Sequence, residues 1–158
     1  MDPRPTDRLD AVRDQLLGGP IHSPDAVRAV LELALIMADS DGETSERETE
    51  HIVDVLNRLS PGSLDLASLR EEVAATRDRV AAQGAEARLR SAAAVMRDPV
   101  QQRQAYRIVA TVALVDGWLD RGELRLFNQL ARVLGIPPQE STELVTEVRR
   151  TLFPEDAT

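Results

Sequence analysis

Ala29-Val30-Leu31-Glu32-Leu33-Ala34-Leu35-Ile36-Met37-Ala38 runs straight into Asp39-Ser40-Asp41-Gly42-Glu43-Thr44-Ser45-Glu46-Arg47-Glu48. Further along, Ile108-Val109-Ala110-Thr111-Val112-Ala113-Leu114-Val115 runs into Asp116-Gly117-Trp118-Leu119-Asp120-Arg121-Gly122-Glu123. The Asp, the Gly and the final Glu recur at a constant offset of 75 residues: Asp41 with Asp116, Gly42 with Gly117, Glu48 with Glu123. Both apolar runs are apolar around their whole circumference, which suits a central helix with neighbours on several sides. Their length, their Ala content and the proline that opens each segment favour helix over strand.

Working outward, each run opens on a capping signal, Ser23-Pro24-Asp25 in the first and Asp98-Pro99-Val100 in the second. Ser23 and Asp98 are N-caps, and Pro24 and Pro99 sit where a missing N–H costs nothing. Gln101 is placed to complete a capping box with Asp98, which Ala26 cannot do in the first copy. After each acidic turn, Ser45 with Glu48 and Asp120 with Glu123 have the spacing of a capping box for the next helix. That helix carries one apolar face, Ile52, Val55, Leu56 and Leu59 in the first copy and Phe127, Leu130, Ala131 and Leu134 in the second. Leu69, Glu72 and Val73 match Leu144, Glu147 and Val148 in a third helix, after breaks at Pro61-Gly62 and Gly135-Ile136-Pro137-Pro138.

These signals predict an all-α fold, a compact bundle of about seven helices forming one domain over 1–158, with two pseudo-repeated three-helix units at about 23–73 and 98–148. Asp7 to Leu17 is expected to form a short helix ending at Gly18-Gly19-Pro20. The Ala-rich interval from Ala74 to Arg97 offers an inward stripe of Val80, Leu89, Ala93 and Met96, with Gly84 either breaking the helix or weakening it. Residues 154–158 are expected to form a frayed tail.

Composition narrows the functional classes. A chain of 158 residues, 42% hydrophobic, can bury roughly 68 to 70% of its unfolded surface. No apolar run approaches the roughly 20 residues of a membrane-spanning helix, and Asp2, Asp7 and Asp10 interrupt any leader-like start, so cytoplasmic residence is expected. The absence of Cys removes disulfides, thiolate metal sites and cysteine nucleophiles. With 27 acidic against 19 basic residues the net charge is -8, which disfavours a broad nucleic-acid footprint, and 3% aromatics disfavour a base-stacking platform.

The acidic turns are the candidate sites. Asp41 and Asp116 stand at helix C-terminal ends, where the dipole disfavours a carboxylate. One answer is architectural, each side chain accepting backbone hydrogen bonds in its turn. The other is a divalent cation such as calcium or magnesium. Set on the calcium-loop pattern, Asp39, Asp41, Gly42, Ser45 and Glu48 take its third, fifth, sixth, ninth and twelfth positions, but Met37 falls at the first. In the second copy Val112 and Leu114 replace acidic ligands, leaving Asp116, Gly117, Asp120 and Glu123. The metal candidates are therefore Asp39, Asp41, Glu43, Glu48, Asp116, Asp120 and Glu123, in a loose hydrated site or one shared between turns.

The same two turns carry a resemblance. Ala38-Asp39-Ser40-Asp41-Gly42 through Glu48, and Ala113-Leu114-Val115-Asp116-Gly117-Trp118-Leu119-Asp120 through Glu123, resemble the tellurite-resistance TerB family and the related TerB-like domain at the N-terminal side of membrane-associated DnaJ proteins. The resemblance extends, with lower specificity, over about Ser23 to Val148. It implies an all-helical, noncatalytic domain with pseudo-repeated helix groups. It also implies association with tellurite resistance, stress responses and assemblies at the cytoplasmic membrane surface, and acidic residues considered as metal ligands. Ser45 departs from the pattern at the site matching Asp120, which works against a symmetric two-ion arrangement.

Little points to catalysis. His22 and His51 lie in no nucleophile or metal constellation, and no P-loop or dinucleotide fingerprint is present. Tyr106 reads as packed within its helix, while Trp118, in a polar turn, is a candidate anchor for a protein partner. The expectation is a noncatalytic adaptor or sensor module without an established cofactor. The alternatives are an acid–base hydrolase using a pocket between the repeats around Asp41, Glu48, Asp116 and Glu123, and a purely structural interaction domain.

Overall fold

In the computed structural model, residues 8–18, 23–39, 44–60, 65–115 and 124–154 are described, with the side chains of 124–126 excepted. They form eight helices and, among the described residues, no strand. In chain order these are α1 (Leu9–Ala11, continued by a π-helical turn over Val12–Leu16), α2 (Pro24–Asp39), α3 (Glu46–Leu59), α4 (Leu66–Gln83), α5 (Ala85–Ala93), α6 (Pro99–Val115), α7 (Leu124–Val133) and α8 (Pro138–Leu152). The breaks at Pro61-Gly62, His22, most of both acidic turns and residues 155–158 of the expected tail lie outside the described residues.

The two apolar runs are the central rods. Along α2 every residue from Ala29 to Met37 is buried, Glu32 included, and along α6 burial is unbroken from Ile108 to Leu114. α2 touches α3, α4, α5 and α6, while α6 touches α8, α2 and α3. Burial on all sides is what an all-apolar circumference requires, and each fully covered Leu, such as Leu31 or Leu33, contributes about 2 kcal/mol. The outer helices are amphipathic: Ile52, Val55, Leu56 and Leu59 of α3, and Phe127, Leu130 and Ala131 of α7 with the following Leu134, face one continuous core. Tyr106 packs edge-on against Phe127, ring centres 5.9 Å apart, and burial raises its pKa, opposed by a hydrogen bond to Ser141.

Caps start these helices where side-chain acceptors stand ahead of them. Ser23 Oγ accepts from the Ala26 amide, Ser45 Oγ from Glu48, Asp65 Oδ1 from Ser68 and Asp98 Oδ1 from Gln101. The Gln101 side chain does not close the expected reciprocal box with Asp98; its Oε1 accepts from the Arg97 amide one residue further out, at 3.1 Å. α7 ends in a Schellman turn. Gly135, at φ +75°, lets the Ile136 amide reach Ala131 O and its own amide reach Arg132 O.

Two expectations need refinement. The N-terminal helix is not uniformly α: its second half winds as a π-turn, with the Leu17 amide donating to Val12 O. That winding puts residues five apart on one face, and Val12 and Leu17 are both buried. The interval from Ala74 continues α4 without a break as far as Gln83, because no breaker lies between Val73 and Gly84. Gly84 then breaks the chain outright at φ +93°, and α5 folds back along α2, burying Leu89 and Ala93.

Candidate functional site

The described flank of the first acidic turn is built from three helices. Asp39 ends α2, and Arg77 reaches it from α4 with both oxygens engaged, Nε to Oδ2 at 3.2 Å and Nη2 to Oδ1 at 3.3 Å. The same Nη2 donates to Thr49 Oγ1 of α3 at 3.0 Å, and the Thr49 hydroxyl donates to Ser45 O. A carboxylate at a helix C-terminus opposes the dipole, and the Arg77 cation offsets that cost. Both partners are partly exposed, so the pair itself contributes about 1 kcal/mol or less. Its structural effect is to tie the end of α2 and the start of α3 to α4, on either side of residues 40–43.

Glu48 stands in the first turn of α3, exposed, its amide held by Ser45. A carboxylate there meets the positive end of the helix dipole. Asp41 and Glu43 lie outside the described residues, as do Asp116, Trp118, Asp120 and Glu123 of the second turn. Among the described residues no three acidic or imidazole side chains converge as a metal set, and Asp39 is held by Arg77. Of the four carboxylates required by the hydrolase alternative, Glu48 is the one described, and it does not line the cleft found beside Glu32.

A second polar cluster lies between α2, α4 and α5, and it was not anticipated from the sequence. Glu32 points out of the middle of α2 with 4% of its side chain exposed. Arg88 of α5 grips both of its oxygens, Nε to Oε2 at 2.7 Å and Nη2 to Oε1 at 2.9 Å, and Arg79 of α4 approaches Oε1 at 3.4 Å. Arg79 also donates to Glu72 Oε1 at 2.6 Å and to Thr76 Oγ1 at 3.1 Å. The hydrogen bonds to Glu32 raise the Arg88 pKa further, so the guanidinium stays charged. One signal was available: a single Glu inside a rod buried on every side must be paired, because an unpaired buried carboxylate is prohibitively costly.

No described helix is long and apolar enough to cross a membrane. A family model described as Tellurite resistance protein TerB matches residues 27–145, from α2 into α8. No curated protein and no solved structure matches the chain.

Proposed function

The chain belongs to the tellurite resistance protein TerB family, and on that premise we propose that it is a noncatalytic cytoplasmic binding or sensor module whose two acidic turns bind a divalent cation and present it to a protein partner. The observation that carries this reading is where the turns begin. α2 and α6, which carry the longest unbroken buried stretches among the described residues, end at Asp39 and Val115, immediately before residues 40–43 and 116–123. Of the candidate donors, Asp39 is the last residue of α2 and is thus carried on a rigid helix.

Asp41, Glu43 and Glu48 in the first turn, and Asp116, Asp120 and Glu123 in the second, are the proposed oxygen donors, a hard set suited to calcium or magnesium. Asp39 joins them when Arg77 yields it. Trp118, adjoining Asp116-Gly117, is the proposed partner anchor, and a chain of net charge -8 suits a protein partner better than direct contact with anionic lipid. Calorimetric titration with calcium, magnesium, manganese and zinc tests the cation. Saturable binding that weakens in both Asp41→Asn and Asp116→Asn is expected, together with a rise in melting temperature on cation addition. No binding heat and no stabilisation with any of the four ions would overturn the proposal.

A further inference from the structure

Beside the Glu32 cluster, between the N-terminal end of α2, the middle of α4 and the C-terminal half of α5, an open cleft of about 450 Å³ reaches the surface, a volume suited to a metabolite-sized ligand. We propose that this cleft binds a small organic anion, one carboxylate or phosphate head with a short aliphatic portion, gripped by Arg28 and Arg97. The site is separate from the acidic turns and does not depend on their reading.

The balance of charge and hydrogen-bonding groups supports an anion. Each carboxylate lining the cleft already has a guanidinium: Glu32 has Arg88, Glu72 has Arg79, and Asp25 has Arg28 at 3.2 Å. Three arginines, Arg28, Arg88 and Arg97, and three acids, Asp25, Glu32 and Glu72, line the cleft, and Arg79 engages Glu32 and Glu72 from outside that lining. The three acids are thereby all paired, whereas the Arg97 guanidinium has no ion-pair partner among the described residues. A cation reaching Glu32 would have to take it from its two-pronged bond and strand Arg88, which is 17% exposed, at considerable cost, and Asp25 and Glu72 each already hold a guanidinium.

The arginines also differ in how free they are to move. Arg88 is fully engaged, Nε and Nη2 on Glu32 and Nη1 on Gln83 Oε1, and serves as a fixed wall. Arg28 is held by Asp25, which is 83% exposed, and more distantly by Glu72 at 4.0 Å, contacts of a half-exposed guanidinium weak enough to exchange for a ligand. Hydroxyl donors add to the grip. Ser23 Oγ accepts from the Ala26 amide and keeps its own O–H for donation, and Ser91 lines the opposite side. Ala29, Ala92 and the 41%-exposed Val95 give the aliphatic portion its contact.

The test is a titration followed by amide NMR, with inorganic phosphate and butyrate as separate probes. Saturable shifts confined to residues 23–29 and 91–97 are expected from at least one probe; phosphate alone identifies a phosphate head, butyrate alone a carboxylate with its tail. Arg28→Gln and Arg97→Gln, both at exposed positions, should each weaken binding about tenfold or more, whereas Arg90→Gln on the outer face of α5 should not. Val95→Glu, which sets a negative charge on the wall without touching an arginine, should abolish binding. No saturable shift with either probe, or unchanged affinity in Arg28→Gln, Arg97→Gln and Val95→Glu, would overturn the inference.

Discussion

Position 32 on α2 and position 107 on α6 are 75 residues apart and occupy matching places on the two central rods, yet one carries a buried carboxylate and the other a partly covered guanidinium. Arg107 is 22% exposed and reaches a single oxygen of Glu147, itself 46% exposed, at 3.1 Å. Glu32 is sealed because α4 runs on to Gln83, Gly84 turns the chain, and α5 packs along α2 with Arg88 reaching Glu32. Burial of a charge thus follows from the covering element. Where α5 is present the ion pair is dry and two-pronged, and on the α6 rod the corresponding pair stays wet.

The partners of Arg28 and Arg103, also 75 residues apart, differ in the same way. Arg103 is clamped onto both oxygens of Glu140 in α8, whereas Arg28 holds an exposed Asp25 beside an open cleft. Arg103 is thus held by a two-pronged bond, and Arg28 by weaker contacts to Asp25 and Glu72.

The largest expected effect separates the two rods. Glu32→Ala strands Arg88 against the core and should cost about 3 kcal/mol in denaturant unfolding. Arg107→Ala should cost about 1 kcal/mol or less. Equal losses would mean that α5 does not control burial.

The hinge should show a smaller effect. No atom lies within 4 Å of a Cβ built at Gly84, so Gly84→Ala meets no clash and bears only the strain of φ +93°, about 1–2 kcal/mol. The loss should be accompanied by faster amide exchange in α5 than in α8. A neutral substitution would show that the arm is held by its packing and ion pairs rather than by the turn.

The smallest effect is a pH dependence. The hydrogen bond from Arg103 is the main reason that the Glu140 carboxyl ionises below its usual range, and the Ser68 amide does the same for Asp65. A carboxyl with a lowered folded pKa favours folding above its unfolded pKa and loses that contribution as pH falls through the folded value. Stability should therefore decline on acidification below the usual carboxylate range. Arg103→Gln should flatten the part due to Glu140 and leave the part due to Asp65; an unchanged acid limb would exclude the pair as a contributor.

The rods, their caps and the apolar faces of α3, α7 and α8 were legible because they depend on neighbours within four residues: Ser45 and Glu48, Asp98 and Gln101, or the spacing of Ile52, Val55, Leu56 and Leu59. The Glu32 cluster was not, because Arg79 and Arg88 lie 47 and 56 residues from Glu32, and Arg88 meets it only after Gly84 reverses the chain. Arg77 on Asp39 escaped for the same reason, as a partner 38 residues away. Glu32 could still have been flagged as a charge needing an unseen counter-ion, from its place inside an otherwise apolar run.

The central claim, that two buried rods deliver two acidic turns to one cation-binding function, is tested most directly by manganese-induced broadening of amide resonances at substoichiometric ion. The account predicts selective loss of signal at Asp39, Thr44 and Ser45 beside the first turn and at Val115 and Leu124 beside the second, with α5 unaffected. Broadening spread over the acidic surface at large, or none at either turn, would contradict it.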